Sequence, residues 1–336
     1  MKFVMTQALA GEGVKVLKKE AGEDLEIVVA DKGNPNDYLE EMQDADALIV
    51  RIGSCDRKAI ENSPALRVIG RTGIGFDSID INAATESGIP VVITPGASAR
   101  SVAEHTMAML LALSKNLSEM HSELLQGNWQ IRDSGKSFEL YGKTIGIIGT
   151  GAVGRALIPM CKGFGMNVIG YHPRLSKTEK KAFGISFASD LKELLCVSDI
   201  LTLHVPLKED TRKMIGVEEI NLMKTGSILI NCSRGGVVDE AALVKALETG
   251  KLAGAGTDVF EMEPPKTESG ILHAPNLLVT PHAAALTKEA AAQTAVQCAA
   301  GCLAVLRGEQ WQAVANPEVY QHPRWKERMS QNETSK

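Results

Sequence analysis

The chain has 336 residues, of which 44% are hydrophobic and 23% are charged, so it is long enough for two globular domains of ordinary size. Its formal net charge of -5 gives no reason to expect a nucleic acid or an anionic membrane as a partner. The sequence shows no apolar run of the roughly 18 to 20 residues that a membrane helix needs, and the N-terminus resembles a short strand rather than a signal peptide.

The six cysteines are scattered, and none forms a C-x-x-C pair. Cys298 and Cys302 lie one helical turn apart, and we interpret them as core residues. Reduced thiols and a cytoplasmic protein are therefore expected, and no metal site is predicted.

The first 98 residues alternate between strand and helix patterns, which predicts a parallel sheet with helices on its faces. The predicted strands are Lys2–Met5, residues 25–29, Ala47–Val50, residues 68–70 and residues 91–93. Helical patterns between them include residues 12–20 and 35–43. A tight loop at residues 71–77 contains two glycines whose backbone N–H groups could face an anion. The same loop could equally be a turn without a ligand, and the sequence leaves both interpretations open.

A long helical segment is predicted next, over residues 98–126. Ser101 and Glu104 have the spacing of a capping box. The segment carries an apolar stripe, formed by Leu110, Leu111, Leu113, Leu117, Leu124 and Leu125. A helix of this length is expected to bridge two domains or to pair across a dimer.

Residues 140–286 form a second predicted α/β unit, which opens with a glycine-rich loop. The apolar strand Thr144–Ile148 is followed by Gly149, Gly151 and Gly154, and then by an apolar helical pattern. The first glycine permits a tight turn, the second lets the backbone approach a pyrophosphate, and the third lets the helix pack close to the strand. The helix N-terminus supplies N–H groups and partial positive charge for phosphates. Because the motif lies between a strand and a helix, it predicts dinucleotide binding.

Further strands are predicted downstream, at residues 166–171, residues 199–205, Ser227–Asn231, residues 254–258 and Leu277–Val279. An alanine-rich helix follows Thr287 and runs to about residue 306, and a polar tail begins at Asn316.

Three features after the glycine loop have side chains suited to carbonyl reduction. Arg234 follows a strand beside glycines, and its planar guanidinium suits a carboxylate. Glu261 and Glu263 belong to an acidic segment that begins at Asp258, and His282 follows a short strand. A carboxylate beside His282 would favour its protonated form and fix its tautomer, which makes a proton donor near neutral pH. Each residue alone has a more ordinary interpretation, such as a surface ion pair, a solvated acid or a structural histidine.

The sequence resembles the D-isomer-specific 2-hydroxyacid dehydrogenases, most closely their phosphoglycerate dehydrogenase-like branch. The resemblance extends over nearly the whole chain and rests on residues 70–80, residues 101–106, the glycine loop, residues 204–207 with Thr211, residues 231–239, residues 258–264 and Pro281 with His282. It implies an α/β protein with two doubly wound parallel-sheet (Rossmann/flavodoxin-like) domains and a cleft between them. The implied domains are a discontinuous substrate-binding domain (1–98 plus 287–336) and an NAD(P)-binding Rossmann domain (99–286).

The resemblance also implies roles for individual residues. Arg234 would bind the substrate, Glu263 would be the catalytic glutamate and His282 the acid/base. The remaining substrate-binding residues would be Arg51 and Arg71, which face the substrate phosphate in phosphoglycerate enzymes, and Ile74 and Gly75. The cofactor-binding residues would be Thr106, Gly149, Gly151, Ala152, Val153, Gly154, His172, Arg174, His204, Val205, Pro206, Thr211, Cys232, Ser233, Asp258 and His282.

The sequence departs from the family pattern at the end of the second strand of the cofactor domain. The family usually has Tyr-Asp-Pro there, with the Asp on the ribose hydroxyls, but this chain has His172 before Pro173 and Arg174. No Asp or Glu occurs between Gly154 and Glu179. The cofactor is therefore expected to be NAD or NADP, with NADPH accepted. Ala284 replaces a usual glycine, which we consider a minor change.

The resemblance implies an NAD(P)-dependent oxidoreductase that acts on a small D-2-hydroxy acid or 2-oxo acid and forms a homodimer. The substrate could be 3-phosphoglycerate, or glyoxylate, hydroxypyruvate or another 2-oxo acid. A nucleotide-sensing protein, like the transcriptional corepressors that share this fold, is the alternative from another class. Serine feedback through a C-terminal regulatory domain is not expected.

Overall fold

The structure is a computed structural model, and it describes residues 1–31, 33 and 37–327. The chain forms two compact units, one made of Met1–Ser98 with Leu286–Lys336 and the other of Ala99–Ala285. The first unit (unit 1) is therefore discontinuous in sequence, whereas the second (unit 2) is a single stretch.

Unit 1 contains a five-stranded parallel sheet with the order β2-β1-β3-β4-β5. Its strands are β1 Lys2–Met5, β2 Glu26–Val29, β3 Ala47–Val50, β4 Val68–Arg71 and β5 Val91–Val92. Its helices are α1 Gly11–Ala21, α2 Leu39–Met42, α3 Arg57–Glu61, α4 Ile81–Glu86 and α12 Lys288–Leu306. All four residues of β3 are buried, because helices cover both faces of this parallel sheet.

The alanine-rich α12 packs on α1 and β4, and small residues allow the close approach. A Cβ added at Gly13 would lie 2.7 Å from the Cβ of Ala295. A Cβ added at Gly70 would lie 2.6 Å from the Sγ atoms of both Cys298 and Cys302. Both cysteines are fully buried, which confirms their interpretation as core residues.

Within the described residues, α12 is also the one helix long and apolar enough to cross a membrane, an exception to the sequence-based expectation. Of the most apolar 18-residue stretch of α12, 61% is buried inside the structure. We therefore interpret α12 as the central helix of the unit 1 core.

Unit 2 contains a seven-stranded parallel sheet with the order β12-β11-β10-β9-β6-β7-β8. Its strands are β6 Thr144–Ile148, β7 Asn167–Tyr171, β8 Ser186–Phe187, β9 Ile200–Leu203, β10 Ser227–Asn231, β11 Leu252–Thr257 and β12 Leu277–Val279. The chain adds strands on one side of β6, then returns and adds the rest on the other side. The glycine loop follows β6, so it lies at the switch point where open α/β sheets bind ligands.

The helices of unit 2 are α5 Ala99–Ser114, α6 Leu117–Leu125, α7 Ala152–Gly163, α8 Lys177–Lys181, α9 Leu191–Val197, α10 Val217–Leu222 and α11 Glu240–Glu248. The predicted single helix over residues 98–126 is wrong, because it breaks at Asn116, which is in the left-handed region with φ 51°. The predicted capping box is also wrong, because Ser101 and Glu104 both lie inside α5.

Two aspartates from the recognised motifs have a structural explanation as helix caps. Asp80 accepts a hydrogen bond from the N–H of Ala83 at the start of α4, at 2.8 Å. Asp239 does the same for Ala242 in α11, at 3.1 Å. These side chains satisfy N–H groups that have no partner in the first helical turn.

The predicted strands are present, with ends that differ by no more than two residues. The two-residue strand β8 was not predicted, because such a short segment carries no measurable periodicity. The helix predicted at residues 35–43 begins at Leu39, and residues 35 and 36 of that prediction lie outside the described residues.

Candidate active site

The glycine loop has three different environments that match the three jobs of its glycines. Gly149 has φ +88°, and a Cβ there would lie 2.5 Å from the carbonyl oxygen of His204. A Cβ at Gly154 would lie 2.6 Å from the carbonyl oxygen of Gly149, whereas one at Gly151 would meet nothing within 4 Å. Packing within the protein therefore leaves no room for a side chain at the first and third glycines, whereas the second faces open space at the start of α7. This geometry fits a pyrophosphate at the helix N-terminus.

His282 and Glu263 form a direct pair at the carboxyl end of the unit 2 sheet. The distance from His282 Nδ1 to Glu263 Oε2 is 2.6 Å, and the side chains are 46% and 37% exposed. Because a carboxylate only accepts hydrogen bonds, Nδ1 carries the hydrogen and Nε2 is the ring nitrogen left for proton exchange. Glu261 does not contact His282; its carboxylate accepts a hydrogen bond from the N–H of Glu240 at 3.2 Å.

The environment of Glu263 stabilises its ionised form. Burial raises the pKa of Glu263, but the hydrogen bonds from His282 and from the Phe260 N–H, together with the charges of His282 and Arg234, bring that pKa below its ordinary value. The Phe260 N–H donates to Glu263 Oε1 at 3.0 Å. Both carboxylate oxygens are therefore oriented before any ligand binds.

Arg234 lies in the loop after β10, and Asn231 shapes that loop. The Asn231 side chain donates to the carbonyl oxygen of Arg234 at 2.9 Å and accepts from the Ser233 N–H at 3.0 Å. A Cβ at Gly235 would lie 1.9 Å from the carbonyl carbon of Phe260. The backbone after Arg234 therefore touches the backbone that leads to Glu263, and a side chain at position 235 would separate the two.

Asp258 is 1% exposed and holds the backbone that carries His282. Its carbonyl oxygen accepts from the His282 N–H at 2.8 Å. Its carboxylate accepts from the N–H groups of Ala283 and Ala284 at 2.8 and 2.9 Å. His282 itself is in the left-handed region with φ 49°, which is uncommon for a residue other than glycine. Three consecutive N–H groups thus converge on one aspartate, as in an anion-binding nest.

Four of the predicted cofactor-binding residues lie after β9, namely His204, Val205, Pro206 and Thr211. Thr211 closes this loop by donating to the carbonyl oxygen of Pro206 at 2.6 Å. His204 Nε2 lies 3.1 Å from Thr202 Oγ1. Although part of His204 is exposed, its Nδ1 is buried without a hydrogen-bond partner in the described residues. Burial lowers the pKa of His204 to about 4.

His172 and Arg174 lie just after β7. The N–H of Arg174 lies 3.3 Å from His172 Nδ1, and its guanidinium donates to Asp210 at 3.1 Å. Both members of this ion pair are well exposed, so it contributes little to stability.

Three other predicted cofactor residues are buried, and their side chains bond within the protein. Thr106 is fully buried and donates to the carbonyl oxygen of Val102 at 2.8 Å. Burial raises the pKa of Cys232 to about 12, which keeps it a thiol. Ser233 donates from Oγ to Asn231 Oδ1 at 2.7 Å. Their predicted contact with the cofactor stays a prediction.

The predicted substrate residues Arg51, Arg71, Ile74 and Gly75 belong to unit 1. The Arg71 guanidinium donates to the carbonyl oxygens of Gly75, Arg51 and Val50, at 2.9, 2.6 and 3.3 Å. Arg51 donates to the carbonyl oxygen of Ala8 at 3.1 Å. Ile74 is 58% exposed. Arg71 therefore ties the loop after β4 to the end of β3.

Sequence reasoning did not single out Asn231, Gly235 or Thr280, which shape the loops around the site. The available signal was an Asn at a strand end and a glycine directly after Arg234, both typical of tight turns. No group of three His, Cys, Asp or Glu side chains that could hold a metal occurs in the part of the chain that the structure describes.

The glycine loop at a switch point, together with the Arg, Glu and His side chains that follow other strands of the same sheet, defines a dinucleotide-binding α/β protein. Residues 107–284 match the family model described as D-isomer specific 2-hydroxyacid dehydrogenase, NAD binding domain. The chain belongs to this family.

Similar proteins include two curated relatives and a solved structure. The chain is 44% identical over 317 residues to D-3-phosphoglycerate dehydrogenase of Methanocaldococcus jannaschii, covering 94% of this chain and 59% of the relative. It is 37% identical to glyoxylate reductase of Thermococcus litoralis, covering 95% of this chain and 97% of the relative. The crystal structure of D-lactate dehydrogenase from Aquifex aeolicus, complexed with NAD and lactic acid, has a TM-score of 0.80 at 31% identity and covers 92% of this chain and 96% of that one. The chain thus spans only about three fifths of the phosphoglycerate dehydrogenase.

Proposed function

We propose that this protein catalyses reversible hydride transfer between a nicotinamide cofactor and a small D-2-hydroxy acid, with the 2-oxo acid as the oxidised partner. The observation that carries the proposal is the 2.6 Å contact between His282 Nδ1 and Glu263 Oε2. These residues and the glycine loop all follow strands of the same sheet. A histidine oriented by a carboxylate is a general acid and base near neutral pH. Membership of the family supports the same reaction.

Each side chain of the site has a task in this reaction. Arg234 binds the substrate carboxylate, because its planar guanidinium fits two oxygens at once. In the reductive direction His282 donates a proton from Nε2 to the carbonyl oxygen, and in the oxidative direction it takes the proton from the hydroxyl. Glu263 holds the ring in the tautomer that leaves Nε2 free for this exchange and stabilises the imidazolium form.

The cofactor would be held by the glycine loop and by the loops after β7 and β9. A bound nicotinamide supplies or accepts the hydride. The open space at Gly151 and the start of α7 fit the pyrophosphate of the dinucleotide. The buried Nδ1 of His204, which has no partner in the described residues, marks a polar position next to the glycine loop.

Turnover of any 2-oxo acid with NADH or NADPH tests this function, and a panel should include glyoxylate, hydroxypyruvate and phosphohydroxypyruvate. A decrease of absorbance at the wavelength of the reduced nicotinamide is expected with at least one acid. Cofactor binding without turnover of any acid in the panel would instead favour a nucleotide-sensing protein, like the corepressors that share this fold.

The particular substrate we propose first is D-3-phosphoglycerate, which the similarity to the archaeal dehydrogenase supports. One observation favours glyoxylate or hydroxypyruvate as the second candidate. The Arg71 guanidinium already donates to three backbone carbonyl oxygens, and the neighbouring Ile52 and Ile74 are exposed apolar side chains. A phosphate would have to compete with these carbonyl oxygens for the N–H groups of Arg71.

The two substrates can be separated by comparing kcat/KM for phosphohydroxypyruvate and glyoxylate in wild type and Arg71→Ala. A phosphate-binding Arg71 predicts a preference for the phosphorylated acid that Arg71→Ala removes. Equal kcat/KM for the two acids, unchanged in the variant, contradicts a phosphate site.

We also propose a homodimer in a reducing compartment such as the cytoplasm. All six cysteines are free. Unit 2 has exposed apolar side chains on α6 and in the segments that follow it, with 76% exposure at Leu125, 61% at Trp129 and 79% at Tyr141. We propose α6 and these segments as the dimer surface, because Leu110 in the α5 part of the leucine stripe is buried in the core. A second copy covering them would remove this apolar area from water. Sedimentation equilibrium at micromolar concentration should show a dimer, and Leu125→Glu should shift it to a monomer.

A further inference from the structure

A chain of hydrogen bonds runs from α5 to the aspartate that holds the backbone around His282. His105, on α5, places Nε2 3.0 Å from Thr280 Oγ1. Thr280 follows β12 and donates its hydroxyl hydrogen to Asp258 Oδ1 at 2.5 Å. His105 Nε2 also lies 3.8 Å from the same carboxylate oxygen. All three residues belong to unit 2, so the chain lies within one compact body.

The direction of each hydrogen bond in this chain follows from counting hydrogens. Thr280 has one hydroxyl hydrogen, and Asp258 accepts it. The contact between Thr280 and His105 therefore requires His105 to donate through an Nε2–H. His105 Nε2 donates to a hydroxyl that donates to a carboxylate, and such chains polarise and strengthen each other.

Asp258 needs these partners because it is a carboxylate with 1% exposure. A buried charge is tolerated where hydrogen bonds replace its lost hydration. The Thr280 hydroxyl and the N–H groups of Ala283 and Ala284 provide that replacement. Any displacement of the carboxylate is transmitted directly to the backbone on the C-terminal side of His282.

We propose that His105 and Thr280 are positioning residues for His282. They fix the Asp258 carboxylate, which holds the N–H groups of Ala283 and Ala284 in the turn where His282 has its φ of 49° and directs its ring to Glu263. The kinetic part of this inference rests on the proposed function, because it assumes that His282 exchanges the proton. The structural part, the ordering of the turn, does not depend on any reaction.

The kinetic test uses His105→Leu, Thr280→Val and the double variant. Each single change should lower kcat by about tenfold, the size expected when a hydrogen bond in a network around a charged group is lost. KM for the 2-oxo acid should change by less than about twofold, because Arg234 is untouched. The double variant should be no slower than Thr280→Val, since both changes interrupt the same chain. Thr280→Ser and His105→Gln keep the donors and should restore most of kcat.

The structural test is amide hydrogen exchange at Ala283 and Ala284, measured by NMR without substrate. Both amides should exchange faster in Thr280→Val and His105→Leu than in wild type. His273→Leu is the matched control, since His273 is an exposed histidine of unit 2, and it should change neither exchange nor kcat.

The outcomes separate this inference from the proposed function. Unchanged exchange and kcat in the single variants overturn the positioning role, and so do effects that add fully in the double variant. If wild type reduces no 2-oxo acid while the amides still lose protection in both single variants, the proposed function fails and the ordering of the turn stands.

Discussion

The carboxyl ends of the two parallel sheets differ in how they use charged side chains. In unit 1, Arg71 and Arg51 donate to backbone carbonyl oxygens, and the nearby Ile52 and Ile74 are apolar side chains with 59% and 58% exposure. In unit 2, the charged side chains face each other, as in the contact between His282 and Glu263. The same architecture therefore ties two loops together in one unit and orients a histidine against a carboxylate in the other.

The largest expected difference between the units concerns the reaction rate. His282→Ala should lower kcat by about 10²- to 10⁴-fold and leave most of the cofactor affinity intact, because His282 is one of many expected cofactor contacts and the glycine loop does not involve its imidazole. Arg71→Ala should leave kcat within about tenfold of wild type, since it loosens a loop of unit 1 without removing a reacting group. Steady-state kinetics and cofactor titration measure both. A near-normal kcat in His282→Ala would remove the contrast between the units.

The second prediction concerns the backbone contact that brings the loop of Arg234 against the loop of Glu263. Gly235→Ala should lower the free energy of unfolding by about 3 kcal/mol, because the added Cβ would overlap the carbonyl carbon of Phe260. Gly163→Ala is the matched control, as a Cβ there meets nothing within 4 Å. Denaturant unfolding of both variants gives the comparison, and equal stabilities would show that the two loops can separate at no cost.

The third prediction concerns cofactor choice, which belongs to unit 2 alone. Wild type should accept NADPH as well as NADH, because His172 offers no carboxylate to repel a 2′-phosphate. His172→Asp should shift the ratio of kcat/KM values toward NADH by about tenfold, with no change in the preference among 2-oxo acids. A wild-type preference for NADH above about a hundredfold, near 2.7 kcal/mol, contradicts this expectation, as does an unmoved ratio in the variant.

The fourth prediction is a pH dependence of stability that arises from His204. The unfolded chain binds a proton at this residue near its ordinary pKa of about 6.5, whereas the folded chain binds it only near pH 4. Because the unfolded state binds more protons between these values, the contribution of neutral His204 is complete above about pH 6.5 and is lost as the pH falls to about 4. The Tm of His204→Gln should therefore fall less over this interval than the Tm of wild type. His121→Gln, at an exposed position, should behave as wild type does.

The sequence was sufficient for the strands and the glycine loop, because buried parallel strands and the G-x-G-x-x-G spacing are local patterns. It was insufficient for the break at Asn116, since the stripe of leucines continues in register on both sides of that residue. It also could not show that Arg71 would donate to carbonyl oxygens, because those acceptors are backbone atoms brought together by folding. The hydrogen bonds that link His105 to Asp258 join residues 153 positions apart (258 minus 105), and no local pattern relates them.

The discontinuity of unit 1 has a consequence for the order of events during biosynthesis. The strands of its sheet are complete at Val92, but α12, which covers one face of that sheet, ends at Leu306. At typical synthesis rates of about 5–20 residues per second, the ribosome needs roughly 10 to 40 seconds to produce the intervening chain. During that interval the sheet of unit 1 lacks α12 on the face that α12 shares with α1, whereas unit 2 can fold as one continuous segment once its last strand has left the ribosome. A released chain truncated after Ala285 should therefore be cut by protease within residues 1–98 and protected within unit 2, so the inserted domain can mature before the domain that surrounds it in sequence.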